Sequence, residues 1–227
     1  MSEVKPAAAL EATPAPGTAL IIDCAQEVIE QIRAAAVAGL RQLSRGGLEV
    51  GGLLLGEHTV EERANAIRIL SWRPILCEHA RGPAFLLTDK DRAELTNLLR
   101  SLTAESGAGS QPLGWFVSHT KGAAALTNSD HEIYRQFFSE TWQTTLVLNP
   151  GRDGSAEASF FVRDVHGRIR PAGQPKFSIS PARLPTPAAR SVAAPEQQLH
   201  SRRPAGRRAW FDRRGWIWLV PALLALI

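Results

Sequence analysis

The chain has 227 residues, 44% of them apolar and 21% charged, which suits one domain with tails or two small domains. Its net charge of +4 is unevenly placed: six arginines and Asp212 between Arg202 and Arg214 carry +5, which leaves −1 for the rest. A nearly neutral body excludes nucleic acid as the main partner, because phosphate binding needs a basic folded face.

In chain order, residues 1–20 are rich in Ala and Pro, lack periodicity and are expected to be disordered. Ile29, Ile32, Ala36, Leu40 and Leu43 recur at helical spacing, with Asp23-x-x-Gln26 as the expected cap and Gly46-Gly47 as the stop. "LEVGGLLLG" (48–56) reads as a buried strand, and 66–76 as a second one that ends near Pro74. Residues 87–102 read as a helix, capped by Thr88 and Asp91, with Leu95, Leu98, Leu99 and Leu102 on its buried face. A loop at 107–111 precedes a strand over 113–119 that ends at His119.

A helix over 128–139 follows, with Ile133, Tyr134, Phe137 and Phe138 on its apolar side. Strands are expected over 144–150 and 157–164, and a short last one over 167–171. The domain organisation is therefore a disordered start (1–20), a folded domain (21–172), a Pro/Ala/Arg-rich linker (173–214) and a C-terminal apolar segment (215–227). Helices alternating with strands over 21–172 make an α/β or α+β layered domain.

The two cysteines, Cys24 and Cys77, form no CxxC pair, so neither a disulfide framework nor a thiolate zinc site is indicated, and each reads as a small core residue. The N-terminus has no basic start followed by a long apolar run, so no secretory signal is read there. At the other end, Trp216 to Ile227 is uncharged, and Trp210, Trp216 and Trp218 are half of the chain's six tryptophans. As a helix this stretch would reach about 18 Å, short of the roughly 30 Å hydrocarbon layer. We read it as the start of a transmembrane helix that continues past Ile227. The arginines before it would keep the globular domain on the cytoplasmic side.

The chemistry concentrates in "GWFVSHTKGAAALTNSD" (114–130). Residues i and i+2 of a strand share a face, so Val117 and His119 point the same way. Asp130 opens the next helix, and Thr127-x-x-Asp130 fits a capping box with Asp in place of Glu. Glu49, in the expected first strand, is a carboxylate that needs a metal, a water or an arginine if it is buried. Taken singly, each has a structural explanation: a cap, a strand-end hydrogen-bonding histidine, and an edge carboxylate.

In their joint order these residues resemble the JAB/MPN domain family, which contains the JAMM metallopeptidases. Glu49, Gly52, Leu54, Leu55 and Gly56 match its glutamate strand. His119, the seven residues 120–126, Thr127 and Asp130 match its His-x-His, Ser, Asp motif. Thr127 stands for the serine, Val117 stands for the first histidine, and Thr120 for the proline that usually follows the second. The resemblance covers about residues 22–170.

It implies an MPN, cytidine-deaminase-like fold, with a central mixed β-sheet flanked by helices. It also implies Glu49 and Thr127 as catalytic residues, His119 and Asp130 as zinc ligands, and Val117 as the lost ligand. Two protein ligands hold zinc poorly. His58, His79, His131, His166 and His200 are the remaining imidazoles; His131 adjoins Asp130 but points about 100° away on a helix. The expectation is a degenerate, non-catalytic domain that binds a protein or peptide partner at a membrane. The alternative is a zinc-dependent metallopeptidase or isopeptidase with an altered metal shell.

Overall fold

The computed structural model describes residues 6–12, 19–61, 64–104, 111–164, 166–173 and 176–181. They contain nine strands and three helices: β1 (Pro6–Ala12), β2 (Ala19–Ala25), α1 (Gln26–Gln42), β3 (Gly51–Glu61), β4 (Ala64–Ile75), α2 (Asp89–Ala104), β5 (Gln111–Ser118), α3 (Asn128–Phe137), β6 (Thr144–Pro150), β7 (Ala156–Arg163), β8 (Ile169–Pro171) and β9 (Phe177–Ile179). The strands form one mixed sheet in the order β1-β2-β4-β3-β5-β6-β7-β8, with β9 also on β7. β2/β4 and β5/β6 are parallel; the other pairs are antiparallel. A parallel pair needs a crossover, and α3 supplies it between β5 and β6.

The sheet separates two apolar clusters, and the period of two along each strand assigns residues to them. Leu54, Phe116, Leu146, Leu148, Phe160 and Val162 pack with α1 through Val28, Ile29, Ile32 and Ala36. Leu53, Leu55, Trp115, Val117, Val147 and Phe161 pack with Leu95 and Leu102 of α2 and Ile133 and Tyr134 of α3. β3, β5 and β6 are thus covered on both faces, which explains their nearly continuous apolar runs. Close approach explains two glycines. A Cβ on Gly56 would lie 1.9 Å from Arg68 O, and one on Gly114 would lie 1.8 Å from Thr144 O, with Gly114 also at φ 147°.

Several expectations meet a different structure. The expected cap of α1 does not form: Asp23 belongs to β2, and Ala25 is the N-cap with no side-chain bond. Leu20, Ile22 and Cys24 point into the α1 cluster, so the alternation of this stretch serves a strand. The chain before it, expected to be featureless, provides β1, paired antiparallel to β2. β9 lies within the expected linker, so the folded domain extends past 172.

The strand expected over 48–56 begins at Gly51, which leaves Glu49 just ahead of it. Leu43 lies beyond α1 and is exposed, and of the α2 leucines Leu95 and Leu102 are buried while Leu98 and Leu99 are partly so. Cys24 is buried and Cys77 only partly, and both are free thiols. The described residues belong to one compact unit, Met1–Leu184. The rest of the expected linker and the apolar segment 215–227 lie outside the described residues. Among the described residues no helix is long and apolar enough to cross a membrane.

Candidate functional site

Two turns bring the motif residues together. α1 stops at Gln42, ahead of the expected Gly46-Gly47 stop, and the two glycines, both with positive φ (84° and 59°), turn the chain just after it. The chain then runs along the end of β5: Ser118 N donates to Val50 O at 2.8 Å, and Val50 N donates to Ser118 Oγ at 2.9 Å. This carries Glu49 to the end of β5. His119 follows β5 and is held on the β6 side, its N–H donating to Leu148 O at 2.8 Å and its C=O accepting from Asn149 Nδ2 at 2.8 Å. The site therefore lies outside the carboxyl ends of the parallel β5/β6 pair, where ligands commonly bind in α/β sheets.

α3 then starts with the expected capping box. Asp130 N donates to Thr127 Oγ1 at 3.3 Å and Thr127 N donates to Asp130 Oδ2 at 2.7 Å. The Thr127 hydroxyl also donates to Asp130 Oδ2 at 2.7 Å.

The imidazole of His119 lies between two carboxylates. Nε2 is 2.9 Å from Asp130 Oδ2 and Nδ1 is 3.4 Å from Glu49 Oε1. Burial alone would favour the neutral ring, but the bonds and charges of Asp130 and Glu49 outweigh it and raise the pKa of His119 from 6.5 to about 9. Both carboxylates thus favour the charged ring, Asp130 through a hydrogen bond at Nε2 and Glu49 through an ion-pair contact at Nδ1. Burial also disfavours ionised Glu49, yet His119 and the N–H groups of Phe85 and Thr120 hold its carboxyl below the ordinary 4.5. Those two amides donate to Glu49 Oε2 at 3.0 Å and to Oε1 at 3.2 Å. Glu49 thus has partners within the chain, two backbone amides and the His119 ring.

The structure brings Glu49, His119, Thr127 and Asp130 to one cleft of about 500 Å³. Val117 is absent from its lining; it is fully buried in the apolar cluster with Trp115 and Val147. None of the other described histidines lines the cleft. His58 stacks on Trp142 at 4.1 Å and bonds Asn65, and His79 has a positive φ of 52° in the 76–88 loop. His200 lies outside the described residues.

These residues do not fit a catalytic zinc. Such a site takes three protein ligands and leaves an open position. Here the one imidazole of the cleft has both nitrogens committed to carboxylates, and the position two residues before it carries a buried hydrocarbon. Among the described residues, no group of three or more His, Cys, Asp or Glu is arranged to hold a metal ion.

Motif reading did not reach one wall of the cleft, Ala84, Phe85 and Leu86; Lys121, Ala123, Ala125 and Leu126, from the seven residues between His119 and Thr127, belong to the other. Lys121 reaches across to the Gly46 turn. The only signal for the first wall was Gly82-Pro83, a loop mark that says nothing of where the loop folds.

No family model matches the chain, and no curated protein matches it. Among solved structures, the chain is similar to a solution structure of a Desulfitobacterium hafniense protein, with 18% identity, 67% of this chain and 90% of that chain covered, and a TM-score of 0.45. It is also similar to a solution structure of a Salinibacter ruber (strain DSM 13855) protein, with 17% identity, 65% and 86% covered, and a TM-score of 0.40.

Proposed function

We propose that this chain carries a JAB/MPN-like domain that works by binding rather than by hydrolysis. Its partner is a protein or peptide seated in the cleft beside Glu49 and His119, and its C-terminal apolar segment tethers it at the cytoplasmic face of a membrane. The observation that carries this reading is the environment of His119. Asp130 and Glu49 engage its two ring nitrogens at 2.9 Å and 3.4 Å. A zinc ion on Nε2 would have to displace its bond to Asp130, and the place of a further imidazole is held by the buried Val117. Clefts of several hundred Å³ with apolar walls and few polar groups are ordinary ligand sites, and this one fits that description.

The second reading, a metallopeptidase with an altered shell, is favoured by one observation: Glu49, Thr127, His119 and Asp130 converge at a single cleft. Zinc content separates the two. The full chain, purified without chelator, is expected to hold no zinc. Near-stoichiometric zinc that disappears in His119→Ala would overturn the binding reading in favour of the enzyme. Val117→His complements this test. It puts an imidazole into an apolar cluster and is expected to cost about 1–3 kcal/mol in metal-free protein by thermal or urea unfolding. Recovery of that loss on adding zinc, together with peptidase activity, would mark the site as an eroded metal centre. Deleting residues 202–227 is expected to abolish membrane association, read by flotation with vesicles, while leaving the fold intact.

A further inference from the structure

The walls of the cleft come from distant parts of the chain, the 84–86 stretch and the loop that Thr120 opens, which lines the cleft from Lys121 to Thr127 except at Ala124, and among the described residues no strand pairing joins them. What joins them is a continuous run of polar contacts. Glu49 takes Phe85 N of one wall on Oε2 and Thr120 N of the other on Oε1. Its own N–H donates to Pro83 O at 2.9 Å, which ties the same first wall from the backbone side. From Oε1 the run passes to His119 Nδ1, from Nε2 to Asp130 Oδ2, and from there to the N–H and O–H of Thr127.

One carboxylate thus serves two walls, and one imidazole joins it to the start of α3. The His119 side chain is 6% exposed, that of Glu49 13% and that of Asp130 1%, so water can replace few of these contacts. Breaking one bond would strand charged groups in a poorly solvated place, which makes piecemeal opening unfavourable.

We propose that Glu49, His119 and Asp130 form a clasp that sets the separation of the cleft walls, so that Phe85, Thr120 and Thr127 are released together when the cleft opens. Glu49 is then a positioning residue. The clasp goes beyond the binding reading, because it is a property of the cleft before any partner arrives.

Amide hydrogen exchange on the full chain, with no partner added, tests it. In the unaltered protein Phe85, Thr120 and Thr127 are expected to exchange through one opening event, with protection factors alike within roughly threefold. In Glu49→Gln the shape is kept, but the charge goes and one acceptor oxygen becomes a donor. Exchange at all three amides is expected to rise together by roughly 10- to 100-fold, while Thr88, in the matching cap of α2, stays unchanged.

Protection of Phe85 and Thr120 differing by more than a hundredfold in the unaltered chain would overturn the clasp. So would a Glu49→Gln effect confined to one wall, or one spread equally to Thr88. If Glu49→Gln does not fold, the unaltered chain alone decides. Failure to find a peptide partner would count against the binding reading and leave the exchange result standing.

Discussion

At the start of α2, Thr88 N donates to Asp91 Oδ2 at 2.9 Å and Asp91 N donates to Thr88 Oγ1 at 3.2 Å. At the start of α3, Thr127 and Asp130 exchange the same pair of bonds at 2.7 and 3.3 Å. Both aspartates are 1% exposed. They differ in what lies opposite. Asp91 gives its remaining capacity to a backbone amide, Glu78 N at 3.3 Å, and so pins the far end of the 76–88 loop. Asp130 gives its capacity to the imidazole of His119 at 2.9 Å. A capping box is therefore neutral between structure and site. The group across from its carboxylate decides, because a neutral amide asks only for an acceptor while an imidazolium needs a counter-charge.

The most severe break in this comparison is removal of the two carboxylates. Asp130→Ala leaves His119 buried without its nearest acceptor and is expected to cost about 3–5 kcal/mol in urea unfolding. Asp91→Ala loses a cap and a loop tether, and about 1–3 kcal/mol is expected. Equal losses would mean that the charge on His119 adds nothing to the α3 cap.

A finer distinction comes from pH. His119 has its pKa raised from 6.5 to about 9, so its stabilisation is fully present below pH 6.5 and is lost as pH climbs through about 9. Glu49 is held below 4.5, so its stabilisation is present above pH 4.5 and is lost as pH falls through the lowered value. The α3 site then contributes most between pH 4.5 and 6.5. Unfolding free energies measured across pH are expected to decline on the alkaline side in the unaltered chain and in Asp91→Asn. In His119→Gln that decline is expected to vanish, and in Glu49→Gln to shrink.

The smallest difference is expected between the cap hydroxyls. Thr88→Ala and Thr127→Ala should each cost about 1 kcal/mol, as N-cap losses usually do. An excess at Thr127 would measure the additional bond from its hydroxyl to Asp130 Oδ2 at 2.7 Å.

Much of this arrangement was legible residue by residue. The leucine spacing of α2, the Thr-x-x-Asp starts of both helices and the apolar runs of β5 and β6 are local patterns, and the elements formed where those patterns ran. β2 was hidden because Asp23 and Gln26 imitate a cap, while Leu20, Ile22 and Cys24 were burying a strand face. β9 is three residues long, too short to carry a period. β1 is an alanine-rich strand with little apolar signal before it pairs with β2. Glu49, His119, Thr127 and Asp130 were named from the sequence, but the amides of Phe85 and Thr120 that donate to Glu49 were not. From sequence alone a buried glutamate reads as a carboxylate in need of a metal, a water or an arginine, because amide donors from distant chain leave no local mark.

What the chain determined by itself is therefore local. A period of two along β5 sent Trp115 and Val117 to one face and Phe116 to the other, and a four-residue cap put Asp130 at the first turn of α3. Both follow from backbone geometry over a few residues. Tertiary structure alone decided that each nitrogen of His119 would meet a carboxylate, and that Glu49 would grip Phe85 and Thr120. Those contacts span 36 and 71 positions of chain, a distance over which no helical or strand period carries information.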